Sequence, residues 1–150
     1  MLRAAALVGL AAEAIELGAA YARERSAFGI PIGSYQAVAH PLADALVAKD
    51  GAQLLTWKAS WALETDQADA PVLARQAFIF AAEVASHAAQ HSLHIHGGYG
   101  FTEECDIQLY YRRSQAWAAA VGDPGRELLA LGDGILAHAA MDPEGGAHGL

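Results

Sequence analysis

The chain has 150 residues, 54% of them apolar and 17% charged, with a formal net charge of −8. That length suits one domain with room for a hydrophobic core, and the apolar fraction excludes an intrinsically disordered polypeptide. So acidic a chain also argues against nucleic acid or an anionic membrane surface as partner.

The first element is a helix from Leu2 to about Arg25, free of proline and rich in alanine, leucine and glutamate. Its start resembles a signal peptide, but Glu13 and Glu16 interrupt the apolar run, which stays well short of a membrane span. The expectation is a soluble protein, and the single cysteine, Cys105, fits the reducing cytoplasm. Ser26 to Gly33 carries Gly29, Pro31 and Gly33 and reads as a loop. A second helix runs from Ser34, its expected N-cap, to about Thr65, with Pro41 as a kink point. Val38, Leu42, Ala45 and Leu46 define its apolar face, extended by Leu54, Trp57 and Trp61.

Asp69 and Pro71 open a third helix, in which Leu73, Ala77, Phe80, Val84, Ala88, His91 and Ile95 form one seam. Asp106 caps a fourth helix to about Ala120. The pair Asp123-Pro124 starts a fifth that ends near Ala139. No strand pattern stands out. Helices joined by short connections imply an all-α fold, an antiparallel bundle of four or five helices over residues 1–140, with 141–150 as a glycine-rich tail. Trp57, Trp61 and Trp117 are expected in the core or at an interface.

The third helix stops at an unusual place. Gly97, Gly98 and Gly100 crowd one short stretch, whereas a helix C-cap needs a single glycine. Backbone without Cβ lets a flat or charged ligand come close, so the surplus points to a docking surface.

Three segments then carry a family resemblance. Tyr21-Ala-Arg-Glu-Arg-Ser-Ala-Phe-Gly29, Pro31-Ile-Gly-Ser-Tyr-Gln36 and Ile95-His-Gly-Gly-Tyr-Gly-Phe-Thr-Glu-Glu104 together resemble the C-terminal helical domain of acyl-CoA dehydrogenases, over roughly residues 2–136. Those enzymes use FAD to desaturate acyl-CoA thioesters at the α and β carbons. Their flavin is held partly by the C-terminal domain of a neighbouring subunit. The resemblance assigns cofactor contacts to Arg25, Phe28, Gln36, His94 and Gly98. A guanidinium suits the FAD pyrophosphate, Phe28 offers a ring face, and Gly98 admits the adenosine half. His94 stands where the family usually has glutamine, and it too can donate or accept a hydrogen bond.

The family's catalytic carboxylate has no counterpart here. In many members it is a glutamate followed by glycine, and the matching pair in this chain is Val121-Gly122. Asp123 is a weak candidate, since its place before Pro124 makes it an N-cap. The resemblance leaves two accounts open: a base at or before the start of the first helix, or one supplied by the partner of a heteromer. Either way, the isolated chain is expected to lack dehydrogenase activity.

Two other classes compete. His87, His91 and His94, with Glu83 one turn earlier, have metal-ligand spacing on one helix. No second cluster faces them, because His40, His138 and His148 are isolated, so no metal is assigned. Alternatively, surplus apolar surface suits a module for homo- or hetero-oligomers.

Overall fold

A computed structural model describes residues 1–120 and 122–141. Helix α1 (Leu2–Glu24) leads into two short paired strands, β1 (Ser26–Ala27) and β2 (Ile30–Pro31). Three long elements and a short one follow: α2 (Gln36–Glu64), α3 (Ala70–His96), α4 (Ile107–Ala119) and α5 (Pro124–Met141). The expected all-α bundle is therefore what the chain forms.

α3 is the central element, packed against every other helix. Its start lies beside Met1–Ala4, while its end reaches Ala14, Gly18 and Tyr21, so α1 and α3 run parallel. α2 runs opposite to both, with Gly51 against Phe80 and Leu42 beside Gly18 and Ser92. α4 returns along α3 through Gln115, which bonds Ser86 at 2.7 Å.

Small side chains permit this close approach. Ala11, Ala14, Ala52, Ala59, Ala62, Ala77, Ala81, Ala85, Ala88 and Ala89 are buried, whereas Leu7 and Ile107 are among the few large side chains fully enclosed. At the tightest crossing the Ser92 hydroxyl donates to the Ala14 carbonyl. A Cβ on Gly18 would sit 2.6 Å from that same Oγ. Deleting part of a fully enclosed leucine in such a core typically costs about 2–5 kcal/mol.

Several expectations change. Residues 26–31 form an antiparallel hairpin, Ser26 opposite Pro31 and Ala27 opposite Ile30, where a plain loop was expected. Two positive-φ residues at its tip, Phe28 (φ 53°) and Gly29 (φ 85°), match the twist of the flanking strands. A 3-10 turn at Ile32–Ser34 then moves the N-cap of α2 from Ser34 to Tyr35. Asp69 and Asp106 occupy their expected cap positions, but neither side chain bonds the helix.

The seam of α3 holds at Leu73, Ala77, Val84 and Ala88, which are buried, and departs from the expected line towards the helix end. Its alanines bury a broad face through Ala81, Ala85, Ala88, Ser92 and His96, which leaves His91 exposed and Ile95 half-buried. The tryptophans are not core residues: Trp57, Trp61 and Trp117 are 60%, 55% and 40% exposed. Leu54, at 62%, shares the outer face of α2 with the first two. α1 has the length and mean hydropathy (1.4 over 18 residues) of a membrane-crossing helix, more than its uninterrupted apolar runs suggested. In the bundle its Ala4, Leu7, Ala11 and Ala14 lie in the core. Val121 and the tail from residue 142 lie outside the described residues.

Candidate functional site

The hairpin is tied down on both sides. The Arg25 N–H donates to the Tyr21 carbonyl at 2.9 Å, and the Arg25 carbonyl accepts from Ile32 N–H at 2.8 Å. The Tyr35 hydroxyl donates to the Ala27 carbonyl at 3.1 Å. Gly33 presses against α1, where an added Cβ would lie 3.1 Å from the Ala22 carbonyl oxygen.

On this frame Phe28 stands 98% exposed. A β-turn of this type favours glycine or asparagine at that position, and an aromatic residue there carries backbone strain of about 1 kcal/mol or more. The ring thus sits in an unfavourable backbone conformation and in water, with no packing among the described residues to offset either. Arg25 is also exposed. Its guanidinium makes no ion pair among the described residues, while Arg23 nearby bonds Glu16 at 2.9 Å. Gln36 is exposed on the first turn of α2, whose leading N–H groups receive no side-chain cap. An uncapped helix start and a guanidinium without an ion pair among the described residues each favour an anion.

The glycine break divides its labour. Gly97 ends α3 with φ 60°, and its N–H donates to the His94 carbonyl. Gly100 is a packing glycine, for an added Cβ would lie 2.9 Å from His96 Cβ and 3.0 Å from the Leu93 carbonyl oxygen. Gly98 has no such reason. It is exposed, with ordinary φ, and an added Cβ would meet nothing within 4 Å. The surplus glycine of the sequence is therefore Gly98, an open ledge of backbone, with exposed His94 on the preceding turn. Beyond it Glu104 is held below the usual carboxylate range, first by its own backbone N–H and then by the Thr102 hydroxyl.

The chain groups Arg25, Phe28 and Gln36 in one segment, and His94 and Gly98 in another. No hydrogen bond joins their side chains among the described residues. Their roots meet through residues that sequence reasoning passed over: Tyr21, one turn before Arg25, stacks on His96 at 4.2 Å between centroids, with Tyr99 at 6.3 Å from Tyr21. The signal was faint, since His96 sits outside the expected seam and among four nearby histidines.

Other candidates do not assemble. His87 and His91 are exposed, and no group of three His, Cys, Asp or Glu side chains converges as for a metal among the described residues. Asp123 Oδ1 accepts the Gly125 N–H at 3.0 Å, and its carbonyl accepts from Glu127 N–H at 3.0 Å, so its carboxylate caps α5. Gly122, at φ 144°, makes the preceding bend.

Comparison with known proteins agrees with this architecture. Residues 1–136 match the family model "Acyl-CoA dehydrogenase, C-terminal domain". The acyl-CoA dehydrogenase IpdE2 of Mycolicibacterium smegmatis is 36% identical over 131 residues, spanning 87% of this chain and 40% of that protein. Butyryl-CoA dehydrogenase from Megasphaera elsdenii superposes with a TM-score of 0.84 at 27% identity, over 89% of this chain and 35% of that one. The ChsE4-ChsE5 complex from Mycobacterium tuberculosis gives 0.82 at 30%, over 89% and 36%. The chain belongs to the acyl-CoA dehydrogenase family, as its C-terminal helical domain. That family is one of flavoproteins with FAD as cofactor. The chain spans 40% or less of the length of these relatives.

Proposed function

We propose that this chain supplies one wall of an FAD site in an acyl-CoA dehydrogenase, with the other wall and the acyl-CoA pocket contributed by protein beyond these 150 residues. The observation that carries this reading is Phe28, 98% exposed on a locked hairpin and in a backbone conformation that glycine would adopt more easily. Arg25 and the uncapped start of α2 suit the pyrophosphate, Phe28 provides a ring face, and Gln36 and His94 offer hydrogen bonds. The Gly98 backbone admits a flat group that any side chain would hold away. These residues fit the cofactor, which when bound accepts the hydride leaving the β carbon of the thioester.

The chain's own part is binding and orientation. General-base catalysis requires a carboxylate within hydrogen-bond reach of the α proton. The Asp123 carboxylate is engaged in capping α5, and Val121 has no proton-accepting group. Substrate turnover therefore depends on a base from elsewhere in the enzyme. Fluorescence titration of FAD with the purified chain tests the binding role: Arg25→Ala should weaken the complex, and equal affinities would refute it. Acyl-CoA oxidation by the 150-residue chain alone, with an artificial electron acceptor, would refute the assignment of the base to other protein.

A second reading, assembly, is favoured by the outer face of α2, where Leu54, Trp57 and Trp61 are each more than half exposed. Such a patch promotes association with another subunit, alike or different. Light scattering tests it, and a monodisperse monomer would count against it.

A further inference from the structure

His96 touches the roots of both exposed clusters. Its ring stacks on Tyr21 with 24° between the planes, and Tyr99 lies 6.5 Å away on its other neighbour, the 3-10 turn of residues 97–101. His96 is 8% exposed. Its Nδ1 lies 2.7 Å from the Ser92 carbonyl oxygen. A carbonyl only accepts, so Nδ1 donates and the orientation of the ring is fixed. Ser92 is itself anchored, because its hydroxyl donates to Ala14 of α1. From this fixed ring two short paths lead outward. Through Tyr21, whose carbonyl accepts the Arg25 N–H, the path reaches the hairpin. Through Gly100, whose backbone folds tightly over His96 Cβ, and Tyr99, it reaches Gly98.

We propose that His96 is a positioning residue: it sets the separation between the Arg25–Phe28 hairpin and the Gly98 ledge without itself touching the cofactor. The proposal rests on the flavin reading above for its purpose, though not for its geometry. An aromatic stack couples Tyr21 to His96 by an amount that corresponds to about a tenfold equilibrium effect at most. Leucine at position 96 removes both stack and donor. Phenylalanine keeps the stack and removes the donor.

The test is hydrogen exchange by mass spectrometry on the full chain, paired with FAD titration. His96→Leu should raise exchange by up to about tenfold in two separated segments, 20–33 and 97–104, leaving α2 and the middle of α3 unchanged. His96→Phe, which keeps the stack without the Nδ1 donor, should restore both segments in part. In a Tyr21→Leu background, His96→Leu should add nothing further in 20–33, since the stack is already gone. FAD affinity should fall with His96→Leu and recover in part with His96→Phe. Faster exchange confined to 97–104, or spread over every helix, or fully additive with Tyr21→Leu, would overturn the proposal. An FAD affinity left unchanged by Arg25→Ala would remove the flavin reading, and the exchange pattern would still decide the coupling.

Discussion

Two glycines two residues apart should respond oppositely to the same methyl group. In Gly100→Ala the new Cβ would fall 2.9 Å from His96 Cβ, 3.0 Å from the Leu93 carbonyl oxygen and 3.1 Å from Leu93 Cδ1. Two of these three neighbours are backbone or Cβ atoms that cannot swing away, so relief requires the 3-10 turn to shift. Overpacking of this kind costs about 1–3 kcal/mol. For a domain of this size each kcal/mol corresponds to roughly 2–8 °C in Tm, so Gly100→Ala should lower Tm by several degrees or more. In Gly98→Ala the methyl group meets open space. Its Tm should shift by no more than roughly 1–4 °C, since surface substitutions away from special features cost about 0.5 kcal/mol or less. FAD affinity should rank differently, with Gly98→Ala weakening it without loss of stability. Circular dichroism melts at 222 nm and flavin fluorescence titration read the two quantities. Equal falls in Tm for the two variants, or a Gly98→Ala chain that binds FAD as tightly as the unaltered one, would refute the division of roles drawn here.

Phe28→Gly should leave Tm unchanged or raise it, because relief of the positive φ, about 1 kcal/mol, opposes glycine's greater unfolded-state entropy, while FAD binding weakens. A fall in Tm of several degrees would show that the ring packs within the chain. Asp123→Ala should cost about 1 kcal/mol through loss of the cap on α5, and a melt indistinguishable from the unaltered chain would contradict the hydrogen bond to Gly125. Glu104 has a lowered folded pKa, so its contribution is present above its unfolded value of about 4.3 and is lost as pH falls through the lower folded value. Glu104→Gln should therefore reduce Tm near neutrality and converge with the unaltered chain in strong acid, and a constant offset across the whole pH range would refute this.

Proline and glycine made most helix boundaries readable, because they act locally. Pro71 and Pro124 lie at helix starts, and Gly97 ends α3 where a positive φ is required. Burial was harder to read. A core built of alanine gives little hydropathy contrast, so the larger apolar residues set the expected seam and drew His91 into it. Leu54, Trp57 and Trp61 have perfect helical spacing and still face outward, because spacing defines a stripe without saying what covers it. The hairpin escaped notice because its strands are two residues long, too short for any alternation to register. The candidate cofactor residues were found through motif order, and geometry then separated Gly98 from its two structural neighbours. The Tyr21–His96 stack joins residues 75 positions apart, which no local pattern reports.

The hairpin bonds also bear on how tightly a ligand can be held. A loose loop carrying Arg25 and Phe28 would have to be frozen on association, at about 1–2 kcal/mol for each residue immobilised. Here the Arg25–Ile32, Tyr35–Ala27 and Tyr21–Arg25 bonds have already ordered the segment. The backbone part of that entropy loss belongs to folding. On encounter the contacts of the ring and guanidinium are offset by side-chain ordering, about 0.5–1.5 kcal/mol for each side chain, and by the lost freedom of the ligand, but not by freezing the loop.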